Sequence, residues 1–403
     1  MTRSSVPSRR RGSSGHERDG HGGKAPVTER NSGSQARTDS AEGASGLPSI
    51  STQSFVQMIA LTIVLIVGIY FLLPKLAGFG DAISTVGKAD PTWVIIALIF
   101  GILAFVFYIV LFRGVVGGDT FPITLGEAYQ INMAGFAAKL LFSAGGAGGV
   151  VLTYWALRQG GMGRRETATR MVTFLSLSYI FYPLALIIFG VLLRTGVLNG
   201  STAVSLTVIP AAVAGLLIIV GVLVALMPRD AEGQVRAFGS KHGVARLVAF
   251  LGSIQATVSE GVRVAFRLVT HPIEAAPALI GAIGYWAANI GILWASFKAL
   301  GVAVPFGVVV MGFFIGMVAN LIPFVPAGVG AVDAGLIGAF VLFGQPQAEV
   351  FAAVLIFRLM AFWLPIPPGV IAFFQLRRTV KRWKQDGLPV DRPPRKSLIS
   401  VPF

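Results

Sequence analysis

The chain contains no cysteine and only four histidines among its 403 residues. Without thiols it can form no disulfide, no thiolate metal site and no cysteine nucleophile. The histidines are too scattered for a metal-binding cluster, since they occupy positions 16, 21, 242 and 271. We therefore expect no bound metal ion and no cofactor.

Charged residues are also scarce, because Asp, Glu, Lys and Arg make up 13% of the chain and hydrophobic residues make up 54%. Long apolar runs without an ionised side chain could not face water, so the sequence predicts an integral membrane protein. The net charge of +15 does not indicate nucleic-acid binding. The basic residues lie in tails and in loops between apolar runs, and not on one face of a soluble domain.

Familiar catalytic motifs are missing as well. The apolar runs contain no nucleotide-binding glycine loop, no pair of carboxylates in one segment and no Ser, His and Asp set. These absences favour a transporter over an enzyme. Without an energy-coupling motif, transport would run downhill, use an ion gradient or depend on another subunit.

Apolar runs of bilayer-spanning length recur along the chain, and they predict an all-helical polytopic bundle of about eight spans of ~20 residues each. The predicted spans are 55–73, 93–112, 169–193, 204–227, 275–297, 305–323, a short one at 329–343, and 350–374. Residues 1–54, rich in Ser, Gly and Arg, are predicted to form a disordered basic tail before a transmembrane domain at 55–376.

Basic loops predict the orientation, because Lys and Arg are enriched on the cytoplasmic side. The excess lies in the loop 158–170, in the segment 228–272 and in the tail 377–403. Both termini are therefore expected in the cytoplasm, with the chain in the plasma membrane. Within 228–272 we predict an amphipathic helix lying on anionic lipid of the inner leaflet, and the alternative is a connector packed beneath the bundle.

Two glycine-rich interruptions of apolar runs resemble each other, at 137–150 and 319–332. Ala137, Phe142, Gly146, Gly148 and Val150 recur at an offset of 182 (319 minus 137), as Ala319, Phe324, Gly328, Gly330 and Val332. Non-helical backbone at membrane depth must be covered by protein or must line a water-filled cavity. The pair predicts two glycine-broken or re-entrant helices around a shared site. For the first interruption, the alternative is two ordinary short helices joined by a glycine-rich turn.

Ionisable side chains within the apolar runs are candidates for substrate contact. Arg358 stands alone in the last span, and its guanidinium suits a phosphate or a carboxylate. Alternatively, Arg358 pairs with Asp333 or binds carbonyls of the broken helix. Asp333 is placed either to cap the short helix or to take a substrate or ion-pair role. Lys139 contacts substrate, pairs with Glu127, or extends its amine toward the interface.

Further substrate-binding positions are predicted at the interruptions and in the first basic loop. Proline removes a backbone donor and glycine accepts non-helical dihedral angles, while an amide can bond the carbonyls that are released. The remaining positions are Asn320, Pro326, Gly328, Gly330, Gly146, Gly148 and Arg158. Glycine spacing of this kind also serves close helix packing, which is the alternative interpretation.

The run from Pro326 to Gly335, followed by Arg358 and a basic end, resembles the flippase-like membrane domain of the lysylphosphatidylglycerol synthase family. The run 145–149 with Arg158 is similar to its first glycine motif and basic loop. The resemblance covers about residues 55–380. It departs at Ala327, where glycine is usual, at Asp333, where Glu is common, and at 150–151, where valines replace a charged residue. It implies a stand-alone domain, without an aminoacyl-transferase domain, that moves an amphiphilic lipid between leaflets.

Three functional hypotheses follow. The first is a flippase for an anionic phospholipid or a polyprenyl-linked glycolipid, with membrane lipids as partners and anionic headgroups bound at the basic loops. The second is an integral membrane transferase, for which Glu127, Asp119 and Glu166 are the suitable carboxylates. The third is a non-catalytic membrane partner of envelope-synthesis proteins.

Overall fold

In a computed structural model, the described residues are 86–117, 121–141, 147–200, 203–226, 261–268, 270, 275–318 and 330–391. Their regular elements are helices, which confirms the predicted all-helical class. In chain order they are α1 Pro91–Val116, α2 Leu125–Leu141, α3 Ala147–Gln159, α4 Arg164–Tyr179, α5 Phe181–Arg194, α6 Val204–Leu226, α7 Ala276–Ala299, α8 Phe306–Met317, α9 Ala331–Leu342, α10 Gln347–Arg358 and α11 Ile366–Asp386. Residues 261–268 are also helical, and Pro389–Asp391 forms a 3₁₀ turn.

Within these ranges, five helical stretches are long and apolar enough to cross a membrane. They are Pro91–Val116, Arg164–Arg194, Val204–Leu223, Ala276–Ala299 and Gln347–Asp386, and each overlaps a predicted span. The shorter apolar helices α8 and α9 fall in the predicted spans 305–323 and 329–343. The predicted span 55–73 and the tail 1–54 lie outside the described residues. The molecule is thus a polytopic helical membrane bundle.

Two predicted single spans consist of two helices each. α4 meets α5 at Ile180, and α10 is separated from α11 by the π turn Leu359–Trp363. In that turn the amide of Leu364 donates to the Leu359 carbonyl at 2.9 Å. Prolines 365, 367 and 368 follow directly and lack the amide hydrogens that a regular helix needs. α11 continues to Asp386, so part of the predicted tail 377–403 extends the last helix.

The helices form two structural repeats at the offset found in the glycine interruptions. Adding 182 to the bounds of α1 gives 273–298, and α7 spans Ala276–Ala299. The same shift places α2 on α8, α3 on α9, α4 on α10 and α5 on α11. The same shift places Ile180, where α4 meets α5, on position 362, which lies inside the π turn between α10 and α11. α6 has no counterpart among the described helices.

α1 and α7 pack side by side in opposite directions. At one end, a methyl group placed on Gly114 would lie 2.8 Å from the backbone nitrogen of Ala278. At the other end, the amide of Asp90 donates to the Ala299 carbonyl at 2.8 Å. Because equivalent helices run antiparallel, the two halves have inverted topologies, the arrangement of many secondary transporters.

Glycines allow this central contact to be close. A methyl group on Gly281 would lie 2.3 Å from the backbone nitrogen of Leu111, and one on Gly284 would lie 2.4 Å from the ring of Phe107. Small residues at helix interfaces let backbones approach within a membrane, where apolar burial alone gives no drive to associate.

The outer contacts follow the same symmetry. α2 packs on α11, where a methyl group on Gly369 would lie 2.9 Å from the Met133 carbonyl. The equivalent helices α8 and α5 also pack together, with the rings of Phe306 and Phe189 6.0 Å apart. Each half therefore contributes its fifth helix to the other half, and the bundle is one interlocked unit.

Most of the basic side chains in the described ranges lie at one end of the bundle, which we call the basic end. Arg170 donates to the Val116 carbonyl at the end of α1, and the amide of Val390 donates to the Gly160 carbonyl after α3 at 3.3 Å. These contacts bring the ends of α1, α3 and α11 together. The exposed basic residues of α4 and α11 lie here: Arg164, Arg165, Arg377, Arg378, Lys381, Arg382 and Lys384.

Most of the predicted amphipathic segment 228–272 lies outside the described residues. In the helical stretch 261–268, Val264, Ala265 and Leu268 are buried and Arg267 is exposed. The carbonyl of Gly261 accepts a hydrogen bond from the Thr173 hydroxyl of α4 at 3.2 Å. The apolar face of this stretch therefore packs on the bundle.

Candidate functional site

The first glycine interruption separates two helices that pack closely as a hairpin. A methyl group on Gly149 of α3 would lie 2.6 Å from the carbonyl oxygen of Gly135 on α2. Gly148 is buried in the same helix, whereas Gly146 lies outside the described residues. Lys139 stands on α2 beside this contact, since its Cβ is 3.3 Å from the methyl position on Gly149.

A cavity of about 230 Å³ lies between this hairpin and helices α1, α4 and α7. Its wall is largely aromatic and aliphatic, with polar groups contributed by all five helices, which is the usual composition of a ligand pocket. The polar lining residues are Tyr108, Asn132, Lys139, Thr153, Ser178, Tyr179, Tyr285 and Asn289. The cavity sits where the two repeats meet, because α1 and α7 both line it.

Lys139 carries the only full charge among the described lining residues. The described wall of the cavity offers it no carboxylate partner. A charged group at membrane depth is costly unless it is paired or hydrated. This lysine therefore makes the cavity a favourable place for an anion.

The cavity reaches the apolar outside of the bundle between α3 and α4. Val150 and Tyr179 both line it, and their side chains are also 42% and 37% exposed. The neighbouring Val151 is 55% exposed, so the surface at this opening is apolar. A polar interior that opens sideways onto such a surface suits an amphiphile whose chains stay in lipid.

At the second glycine interruption, the described residues begin at Gly330, whose φ of 81° is one that L side chains rarely adopt. Its amide donates to Asp333 Oδ2 at 2.9 Å, which caps α9 as expected for an acid in a first turn. Arg358 of α10 donates through Nε to Asp333 Oδ1 at 2.5 Å. Asp333 and Arg358 thus form a buried ion pair, which is among the alternatives predicted for each of them, and Asp333 also caps the helix. Asn320, Pro326 and Gly328 lie outside the described residues.

The ion pair borders the cavity without lining it. The guanidinium of Arg358 lies 5.3 Å from the ring centroid of Phe362 in the π turn, and that ring lies 6.3 Å from Phe136, which is part of the cavity wall. Ala361 of the same turn reaches the wall directly. The structure therefore brings Lys139 and Arg358 to neighbouring places, with aromatic rings between the ion pair and the cavity.

Arg158 lies apart from the cavity, at the end of α3. Its guanidinium donates to the carbonyl of Met162 and so holds the turn that leads into α4. Its described contact is structural, and a role in binding substrate stays a prediction.

Among the described residues of the second repeat, phenylalanine rings pack against one another. Phe313 lies 5.9 Å from Phe357 and 5.3 Å from Phe314, and Phe340 lies 4.9 Å from Phe297. The shift of 182 places Asn132 on Phe314 and Tyr108 on Ile290. The helices repeat while these polar side chains do not, although Tyr285 and Asn289 of α7 bring polar groups of the second half into the same cavity.

Two carboxylates considered for a transferase have structural partners. Glu127 accepts hydrogen bonds from the Thr124 amide at 2.8 Å and from Trp383 Nε1 at 2.8 Å, which ties α2 to α11. Glu166 pairs with Arg170 at 2.7 Å. Asp119 lies outside the described residues.

The tyrosines and asparagines of the cavity were missed by sequence reasoning. Three of the seven tyrosines in the chain line it, at 108, 179 and 285. The available signal was weak, since each stands in an apolar helix among phenylalanines and leucines. Asn132 and Asn289 gave a stronger one, because an amide within an apolar span needs a partner.

Comparison with known proteins identifies a membrane family. The family described as lysylphosphatidylglycerol synthase TM region matches residues 52–369. A UPF0104 membrane protein of Methanothermobacter thermautotrophicus is 29% identical over 79 residues. That similarity covers 20% of this chain and 24% of the relative, so the matched stretch spans about a quarter of the relative's length.

Proposed function

Because the chain belongs to the family of the lysylphosphatidylglycerol synthase TM region, we propose that it moves an anionic membrane lipid between leaflets, with the headgroup held at Lys139. The family supports a role connected with membrane lipids. The more specific claim, that the protein translocates an anionic lipid, rests on the chemistry of the cavity.

The observation that carries this proposal is the lysine in the cavity wall. Lys139 is half-buried, and no carboxylate of the described wall balances it. A phosphate that enters the cavity supplies the missing negative charge and forms charge-assisted hydrogen bonds. Such bonds contribute about 1.5–3 kcal/mol each, enough to hold a headgroup at membrane depth.

The opening between Val150 and Tyr179 supports a lipid as the cargo. A headgroup can enter there from the side while its hydrocarbon chains remain among the exposed apolar residues of α3. The cost of moving a polar headgroup across the hydrocarbon core is thereby reduced, because polar side chains replace water around it.

The inverted repeat supports movement between two sides. Two halves related by a pseudo-two-fold axis can exchange conformations, which exposes a central site first to one side and then to the other. The cavity lies beside the hairpin that starts at the basic end, and α7 of the second half completes its wall. We propose that the basic end, with both termini, faces the cytoplasm of the plasma membrane.

Translocation in proteoliposomes tests the proposal. The full chain is reconstituted with tail-labelled phosphatidylglycerol or with a tail-labelled polyprenyl phosphate hexose, and arrival in the outer leaflet is timed. Lys139→Met should slow the transported probe at least tenfold, since one charge-assisted contact of about 1.5–3 kcal/mol is lost. Lys139→Arg should retain most of the rate.

Lys298→Met is the matched control, because Lys298 lies in the last turn of α7 over the ring of Trp294, at 5.9 Å, and outside the cavity wall. Its rate should equal that of the unmodified chain. Translocation of neither probe above protein-free liposomes, or equal rates for Lys139→Met and the unmodified chain, would overturn the proposal.

A further inference from the structure

We infer that the headgroup received by the cavity is one sugar ring joined to its lipid through a single phosphodiester, as in a polyprenyl monophosphate hexose; this inference rests on the proposed function. It selects one of the two lipid classes that the sequence left open.

The first observation is the aromatic wall. The rings of Tyr108 and Tyr285 lie 5.1 Å apart, Tyr108 and Phe174 5.3 Å, and Tyr285 and Trp286 4.8 Å. Flat rings of this kind bind the C–H faces of a sugar, while the phenol edges offer polar contacts. The headgroup of phosphatidylglycerol is a flexible chain that presents no such face.

The second observation is the number of neutral hydrogen-bonding groups. Three phenols, two amides and two hydroxyls line the cavity. The amides are held in place, since Asn289 Nδ2 donates to the Tyr285 carbonyl at 2.8 Å and Asn132 Nδ2 donates to the Ala128 carbonyl at 2.8 Å. A sugar carries hydroxyls around its whole ring and can satisfy several of these groups together. A site built to bind hydroxyls discriminates strongly against ligands that lack them.

The third observation is the charge. Lys139 is the one ion of the described wall, and no carboxylate accompanies it. A headgroup bearing an amine would meet a like charge without a counter-ion. A phosphodiester brings one negative charge, which the lysine matches, whereas a diphosphate would bring an excess that the described wall leaves unbalanced.

The fourth observation is the size. The cavity of about 230 Å³ is small against the roughly 300–1,000 Å³ of ligand pockets in general. This space suits a headgroup of one ring with its phosphate at the edge better than an oligosaccharide.

Binding by the purified full chain in nanodiscs tests this assignment. The probes are a radiolabelled short-chain prenyl monophosphate hexose, the same prenyl monophosphate without sugar, the prenyl diphosphate hexose, and phosphatidylglycerol. The monophosphate hexose should bind at least tenfold more tightly than each of the others. Equal affinities, or tighter binding of the diphosphate, would overturn the inference.

Variants separate the sugar contacts from the phosphate contact. Tyr285→Phe and Asn289→Leu should each weaken the hexose lipid several-fold and leave the sugar-free prenyl phosphate unchanged. Lys139→Met should weaken both probes by the same factor. Tyr129→Phe is the matched control, because Tyr129 lies on α2 outside the cavity wall, and it should change neither affinity. If Tyr285→Phe and Asn289→Leu leave the hexose preference intact, the inference fails.

The two proposals fail in different ways. Lys139-dependent movement of phosphatidylglycerol without a preference for the hexose lipid would refute the sugar assignment and keep the proposed function. Tight hexose-lipid binding that depends on Tyr285, without movement of either probe in proteoliposomes, would keep the binding site and refute translocation.

Discussion

Arg358 and Asp333 lie 25 positions apart in the chain and form an ion pair of 2.5 Å between α10 and α9. Both side chains are almost completely buried, at 8% and 10% exposure. A cation and an anion that are each too costly to bury alone therefore fix α9 against α10.

Removing one member of this pair should destabilise the bundle. Asp333→Asn removes the carboxylate that Arg358 pairs with, and we expect a loss of about 3–5 kcal/mol in the free energy of unfolding, seen as a lower Tm in lipid or detergent. The double variant Asp333→Leu with Arg358→Met removes both charges and should recover much of the loss. If Asp333→Asn unfolds at the unmodified Tm, the pair is not a structural contact.

Adding one methyl group at the contact between α1 and α7 should destabilise the protein. Gly281→Ala places a carbon 2.3 Å from the backbone nitrogen of Leu111, so the helices must separate, and overpacking of this kind costs about 1–3 kcal/mol. Gly338→Ala on α9 is the control, because nothing lies within 4 Å of its added methyl group. It should be neutral or stabilise by about 0.5–1 kcal/mol. Equal Tm values for the two variants would argue against a close α1–α7 contact.

Replacing Tyr182 by phenylalanine should raise the stability of the protein and slow its transport of lipid. Its hydroxyl is buried and has no hydrogen-bond partner among the described residues, while its ring packs 4.6 Å from Trp286 and 5.0 Å from Phe314. This places it between the cavity and the phenylalanine rings of the second repeat. An unsatisfied buried hydroxyl costs about 1–3 kcal/mol, so Tyr182→Phe should raise the Tm.

If that hydroxyl binds the headgroup as it leaves the cavity, Tyr182→Phe should also slow translocation several-fold and leave the affinity of the lipid unchanged. Tyr154→Phe on α3, outside the cavity wall, is the matched control for both measurements. A raised Tm with an unchanged rate of translocation would assign Tyr182 to packing alone.

Hydrophobicity and repetition in the sequence predicted the architecture well. Apolar length located the helices that cross the membrane, and the offset between the glycine interruptions proved to relate five pairs of helices. These features can be predicted from sequence because they depend on the length of apolar runs and on backbone conformation. The last span was predicted as continuous over 350–374, so the break at the π turn was missed, although prolines 365, 367 and 368 were an available signal for it.

The composition of the cavity could not be read from the sequence, because α1 is apolar on every side and its pattern does not show which face turns inward. Tyr108 lines the cavity from that helix, while Ile102, six positions earlier, is 56% exposed. The pairing of Arg358 with Asp333 stayed open for a related reason. Asp333 stands at the start of α9 and Arg358 at the end of α10, so only the packing of the two helices brings the charges together.

Thiol labelling tests most directly whether the cavity is a hydrated site for an anionic lipid headgroup. The chain has no cysteine, so Thr153→Cys gives a single thiol in the cavity wall, and Val220→Cys gives a control thiol on the exposed face of α6. A charged, membrane-impermeant thiol reagent should label position 153 and not position 220. The prenyl monophosphate hexose should block labelling in the chain with Lys139 and fail to block it in Lys139→Met. A thiol at 153 that does not react, or that reacts equally with and without the lipid when Lys139 is present, would contradict a lipid headgroup site in this cavity.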